Sequence, residues 1–328
     1  MRVGIDTFTL REFELNPFQQ LDYIKERDFE GAQFGGLRSL SAELDPGELG
    51  ELRSHADALG LYCQVSVSSP NPHLGADTAD SCIARISREI RAAAACGWHE
   101  LHSSLGGDRT RFEHPVPWPQ HLADSAILIK QLDPVLREHG SRINLENHGD
   151  TTTLELVQLA ENVGPEIAGI CLDTANVLCL AEDPVAAAKR AAPYTHLTHT
   201  KDAIVYFCDC GVQRQGRPPG EGALDWEQIL PILAEYEPDL PLSIEDHKWL
   251  FEARFFDPDW LETVPELPRE DLAEVVRLAW DGQQKIDAGA WPAPEAYEAI
   301  PFMEQIEERL ASGRDYLMAT LEKLNLRS

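Results

Sequence analysis

Four stretches of this 328-residue chain carry side chains that could do acid–base or metal chemistry. They are "INLENHGD" with Glu146 and His148, "CLDTAN" with Asp173, "THTKD" with His199 and Lys201, and "SIEDH" with Glu245 and His247. Each lies where an apolar, strand-like run ends. Residues two apart in a strand share a face, so each spaced pair projects one way. Glu146, Asp173, His199 and Glu245 together form a hard, mixed O/N set. Such a set suits Mn²⁺ or Mg²⁺ and can take Co²⁺ or Zn²⁺. Without a cation, clustered carboxylates repel one another and some must protonate. Any single acid could merely pair with a nearby Arg or Lys. Four donors in register at four successive strand ends favour one divalent ion, Mn²⁺ first.

A metal held by two oxygens of a hydroxy-ketone polarises the carbonyl and stabilises the enediolate formed when the α-proton leaves. The candidate bases are His148, His247, Glu146 and Glu245. Return of the proton to the other face is epimerisation. Return to the neighbouring carbon is isomerisation, and loss of a β-substituent is elimination. His148 could instead orient Glu146 or a water, and Lys201 could pair with Asp202 or another acid. His102 and Ser104 are expected to line the pocket. Phe112, Trp118 and Trp249 present faces that either stack on a ring or pack in the core.

The elements that must position these groups read as alternating strands and helices. Strand-like runs occur near residues 2, 31, 62, 99, 143, 167, 195 and 241. Helical spacing fills the gaps, as in "CIARISREIRAAAACG", which ends on Gly97, and in "DWEQILPILAEY", which Asp225 can cap. Eight β–α units in about 250 residues point to an α/β fold of the (β/α)8 TIM-barrel type. A doubly wound nucleotide-binding sheet would want a Gly-rich loop after the first strand, and "DTFTLREF" has none. The expected organisation is a catalytic barrel over residues 1–250 and a helical extension over 251–328. Part of that extension replaces the last barrel helix. The stripe Leu272, Val275, Val276 and Ala279 should pack on the barrel or on a partner.

The motifs "LENHGD", "CLDTANV", "HLTHTKDA", "PPGEGALDW" and "LSIED" resemble those of the sugar phosphate isomerase/epimerase superfamily, the xylose-isomerase-like barrels. The resemblance runs from residue 1 to about 250. It implies a single divalent metal on Glu146, Asp173, His199 and Glu245, with Glu146 and Glu245 also moving protons. "GRPPGEG" resembles the loop whose Arg binds substrate oxygens, which points to Arg217. Ketose epimerases carry a His where this chain has Asn176 and a Glu where it has Thr152, both for holding substrate hydroxyls. The Glu146-x-His148 spacing resembles the dehydratases and lyases of the superfamily. The tail after "EDHKWLFEARFFDPDWLE" also resembles the catalytic subunits of C-glycoside deglycosidases, which cleave 3-keto-glycosides. Elimination from a sugar or glycoside substrate is therefore the expected reaction, with a sugar isomerase or epimerase as the alternative. Lys201, His102 and Asn176 would join Arg217 in binding substrate. A homo-oligomer, or a hetero-oligomer with a small partner subunit, would fit the tail.

Composition sets outer bounds. A formal charge of −28 argues against nucleic acid as a partner, and so against an AP-endonuclease-like nuclease. A sugar-binding barrel without activity would need no metal set. No run of about 18 apolar residues suggests a membrane span, and the first residues lack a signal-peptide pattern, so a cytoplasmic enzyme is expected. The seven Cys include no CxxC pair, and buried free thiols are the plain reading. Cys208 and Cys210 could bind a soft metal, but two thiols alone make a poor site.

Overall fold

The computed structural model describes residues 1–75, 78–107 and 109–327. Eight parallel strands close into a barrel. In chain order they are β1 (Arg2–Asp6), β2 (Gly31–Gly36), β3 (Tyr62–Ser66), β4 (Glu100–Ser104), β5 (Arg142–Glu146), β6 (Ala168–Asp173), β7 (Thr195–His199) and, after an inserted hairpin, β10 (Pro241–Ile244). The hairpin strands are β8 (Asp202–Cys208) and β9 (Gly211–Arg217), and β11 (Leu250–Ala253) adds to them antiparallel. All eight expected barrel strands are present, and the fold is a TIM barrel with extra helices after it. Among the described residues no helix is long and apolar enough to cross a membrane.

The helices form where local sequence supports them. The 79–95 helix starts on Thr78, whose side chain accepts from the Ser81 N–H. The 226–236 helix starts on Asp225, which accepts from Gln228. Gly140, in the left-handed region, ends the 118–139 helix. The barrel floor is filled by Tyr62, whose hydroxyl lies 3.0 Å from Ser243 Oγ. Gly4 and Gly31 make this possible: a Cβ at Gly31 would sit 2.2 Å from the Tyr62 ring, and one at Gly4 2.1 Å from its hydroxyl. The barrel floor is thus plugged by one aromatic side chain, and the open mouth is left for polar residues.

The tail is folded onto the barrel. The helix Arg269–Asp287 lies on β8, burying Val275 and Ala279. The helix Phe302–Leu324 rests against the helix Trp226–Tyr236 and strands β1 and β10, burying Ile306, Leu310, Leu317 and Leu321. It fills the slot of the eighth barrel helix. The boundary drawn at residue 250 therefore falls within the last β–α unit of the barrel. Three polar links tie the tail down: the buried Arg309 to Asp246, and the half-buried Arg190 to Asp271 and Gln215 to Glu298.

Candidate active site

Every barrel strand delivers a buried or half-buried polar side chain to the site, six of them at or just beyond the strand's C-terminal end and two, Gln33 and His102, from mid-strand. Asp6, Gln33, Ser66, His102, Glu146, Asp173, His199 and Glu245 come from the eight strands in turn. The register explains why they meet: Asp173 pairs with His199, and His199 with Ser243, two residues before Glu245. One donor atom from each of Glu146, Asp173, His199 and Glu245 lies within 4.8 Å of the others, and all four residues are buried. The four residues expected to share a cation are thus brought together.

Local structure fixes each of them. Asp173 Oδ1 accepts from the Ala175 and Asn176 N–H groups at 3.1 and 2.9 Å. Asn147, between Glu146 and His148, donates its side chain to the Asp173 carbonyl and accepts from the Asp173 N–H, both at 2.8 Å. Its amide stands in for a backbone pair and carries the β5–β6 ladder one step further. Glu146 Oε2 lies 3.1 Å from His102 Nε2, whose Nδ1 lies 2.8 Å from Ser66 Oγ. His199 Nδ1 lies 3.1 Å from Glu146 Oε1 and 2.9 Å from Glu245 Oε2, and its Nε2 lies 2.7 Å from the Gln33 side-chain amide. Lys201 Nζ lies 2.8 Å from Asp173 Oδ2 and 2.6 Å from Glu245 Oε2, so its acids are these two and not Asp202. Asp202 instead accepts from Gly220, Gly222, Leu224 and Trp226.

The charges are badly balanced. Four buried carboxylates, Asp6 among them, face Lys201 and His199, with His102 and His148 beside Glu146. Burial pushes Glu245 up, but Lys201 and His199 outweigh it and hold it well below the usual range. His199, His148 and His102 do the same for Glu146. Burial raises Asp173 in spite of Lys201. Asp6 is pushed up to about 7 by burial, with further repulsion from Glu245. Burial alone would strip His199 of a proton, yet Cys171, Glu146 and Glu245 raise it well above an ordinary imidazole. Asp173 Oδ2, His199 Nδ1 and Glu245 Oε2 make no well-formed hydrogen bond, although opposite charges lie under 3 Å away. A divalent cation needs no donor angle, and it would neutralise the acids as well. The residues present therefore fit a hard or borderline cation with open positions.

Around this set lies a cavity of about 540 Å³, lined by Asp6, Ser66, His102, His148, Asn176, Lys201, His247 and the aromatic residues Phe8, Trp249 and Phe251, among others. His148 and His247 face the same space as the four-residue set. Burial, helped by Lys201, drives His247 well below an ordinary imidazole, so it is neutral at neutral pH. Asn176 donates to Glu146 Oε1 at 3.4 Å and accepts from Arg214 at 3.1 Å. Arg217 is not in this cavity. Its guanidinium packs on the Tyr297 ring and donates to Gln215, which places it behind the β8–β9 hairpin. Trp249 lines the cavity, while Phe112 lines a neighbouring one and Trp118 stacks on His121 in the core. Thr152 caps the 153–163 helix. Asp6, Gln33 and Ser66 were not singled out in the sequence, although the strand-end rule that found Glu146 applies to Asp6 and Ser66; Gln33 lies in mid-strand, where that rule does not look.

The model of one family, the xylose isomerase-like TIM barrels, matches residues 21–267. The chain belongs to that family. A curated relative, an uncharacterized protein (YihM) of Escherichia coli strain K12, is 28% identical over 97 residues, and the match spans 30% of each chain. Among solved structures, a D-psicose 3-epimerase in the presence of D-fructose superposes with a TM-score of 0.61 at 17% identity, covering 85% of this chain and 99% of the other. The 3-keto-D-glucoside 4-epimerase YcjR of E. coli gives 0.55 at 17%, covering 84% and 99%. A family member from Mycobacterium smegmatis, in complex with magnesium, gives 0.60 at 15%, covering 84% and 97%. At these identities the superpositions establish a shared fold.

Proposed function

We propose that this chain is an enzyme that removes the proton from a carbon next to a sugar carbonyl, with one divalent metal held by Glu146, Asp173, His199 and Glu245. The observation that carries the reading is the convergence of these four buried donors, three of which line one cavity together with two further imidazoles, His148 and His247. When bound, the cation supplies Lewis acidity at the carbonyl. Two of the structural neighbours are named for inverting a carbon beside a ketone, which is the same first step.

The protein's own groups divide the remaining work. His247, neutral and facing the cavity, can take a proton, and His148 stands at the same rim. Lys201 keeps its ammonium, because Asp173 and Glu245 overcome the effect of burial. It can donate to a substrate oxygen. His102 holds Glu146 through Nε2 and so fixes the carboxylate that faces His199. Phe8 and Trp249, with rings 5.6 Å apart and nearly perpendicular, wall one side and keep bulk water off the reacting carbon.

The finer reading is elimination from a keto-glycoside, the chemistry of C-glycoside deglycosidases. After the α-proton leaves, the electron pair forms a C=C bond and expels the glycosidic group from the next carbon. Two observations support it. This chain has Asn176 and Thr152 where ketose epimerases carry a His and a Glu for substrate hydroxyls, and Thr152 caps a helix instead. A second cavity of about 910 Å³ shares Trp249 and Phe251 with the first, which gives room for a second unit. Epimerisation of the same ketone is the second reading, favoured by the names of the two neighbours.

Incubation with Mn²⁺ and keto-glycosides in D₂O separates the readings. Release of the aglycone supports elimination, whereas deuterium in an epimerised, uncleaved sugar supports the alternative. His247→Ala and His148→Ala should each be tested, since loss of a general base costs about 10²- to 10⁴-fold in rate. Proton exchange undiminished in the double variant would overturn their role. Full turnover by metal-free protein would overturn the metal.

A further inference from the structure

The tip of the β8–β9 hairpin carries Cys208 and Cys210, and the structure adds what the sequence alone lacked, a third donor. Gly211 lets the tip lie flat on β11: a Cβ there would sit 2.2 Å from the Ala253 carbonyl. The Phe256 N–H then donates to the Cys210 carbonyl at 3.1 Å and anchors the turn. This close approach brings Glu252 of β11 beneath the thiols. Cys208 Sγ lies 3.5 Å from Cys210 Sγ, and Cys210 Sγ lies 3.4 Å from Glu252 Oε2. Both thiols are free and partly exposed, so solvent ions reach them.

These two spacings match edges of a tetrahedral ion, and one donor atom from each of the three residues lies within 4.8 Å of the others. With metal–sulfur bonds of about 2.3 Å and a metal–oxygen bond of about 2.1 Å, sulfurs sit about 3.8 Å apart and sulfur and oxygen about 3.6 Å apart. The observed distances fall short of those by only a few tenths of an ångström. The nearest positive group, Arg254, lies 3.9 Å from Glu252, at the limit of an ion pair. We propose that Cys208, Cys210 and Glu252 form a second metal site that takes one thiophilic divalent ion of the Zn²⁺ class, with solvent at the fourth position. Two soft sulfur donors set it apart from the oxygen-rich barrel set, which suits harder cations. Such an ion would clip the hairpin to β11, the strand whose Phe251 lines the catalytic cavity. The proposal does not depend on the catalytic reading.

The test is Cd²⁺ and Zn²⁺ uptake by the full-length, reduced protein. A cadmium–thiolate charge-transfer band in the ultraviolet should appear with one equivalent, and it should survive in Asp173→Ala. It should vanish in Cys208→Ser/Cys210→Ser, while circular dichroism shows that variant folded. Glu252→Gln should weaken the ion by at least about tenfold. Zn²⁺ should slow alkylation of Cys208 and Cys210 at least about tenfold, with each cysteine followed by peptide mass spectrometry. A band that persists in the double serine variant, or one that depends on Cys171, would overturn the proposal. So would equal alkylation rates with and without Zn²⁺.

Discussion

The Arg309–Asp246 pair gives a direct test of whether the tail holds the strand end that carries Glu245 and His247 in place. Arg309 donates to both Asp246 oxygens at 2.6 Å, and both side chains are about 4% exposed or less. Asp246 lies between Glu245 and His247, and its N–H donates to Thr9 at 2.9 Å. Arg309 also donates to the Tyr297 hydroxyl and to the Gly216 carbonyl. Arg309→Met therefore leaves a buried carboxylate with no counter-charge. Removing one partner of a buried pair costs about 3–5 kcal/mol, most of it from the charge left behind. Asp246→Asn should cost a similar amount, because Arg309 is then stranded. The double variant strands neither group. It should be about 2–3 kcal/mol more stable than the sum of the single losses implies. Urea unfolding followed by circular dichroism measures all four proteins. Single losses that add to within about 0.5 kcal/mol would refute the reasoning, since the two groups would then act independently.

Three further outcomes follow from particular contacts. A chain cut after residue 250 should fail to give a cooperative thermal transition, because the eighth barrel helix, Phe302–Leu324, goes with it; scanning calorimetry checks this. Asn147→Ala should cost about 2–4 kcal/mol, since two buried backbone groups of Asp173 lose their partners, and metal uptake at the barrel site should weaken with it. Burial, with Arg142 nearby, lowers His196 from an ordinary 6.5 to about 4. The unfolded chain thus takes up a proton first as pH falls, so stability present above about pH 6.5 is lost on the way to pH 4, by at most about 3 kcal/mol. His196→Gln should flatten urea midpoints over that window.

The barrel strands could be read from the chain because each is an apolar run bounded by helix-like segments, and the residues beyond them followed from strand ends. Glu146, Asp173, His199 and Glu245 stood out because acids and imidazoles at the end of an apolar strand are costly unless they meet something. Asp6 and Ser66 end "RVGID" and "YCQVS", but as single polar residues they look like ordinary solvated strand ends, and Gln33 lies in the middle of "GAQFGG". The 202–217 hairpin was not recognised in the chain, although "AIVYFC" is an apolar run of its own that follows the seventh strand after a short polar break. Arg217 was expected in the pocket because "GRPPGEG" resembles a loop whose Arg binds substrate oxygens. In a hairpin, its side chain is carried back behind the sheet, onto Tyr297 of the tail. No local pattern shows a contact across 80 residues.

The closing helix also sets the order in which the molecule can be assembled. Its inner face rests on β1 and on the helix Trp226–Tyr236, and its Glu307 holds Arg27 and Tyr23 from the first β–α unit. On a ribosome adding about 5–20 residues per second, β10 emerges on the order of ten seconds before that helix does. During this interval the barrel has all its strands but one uncovered side, and the oily groove that awaits Ile306, Leu310, Leu317 and Leu321 is open to other chains. Nascent protein should therefore be at its stickiest between the emergence of β10 and that of the closing helix, and a holding chaperone should engage it in that interval.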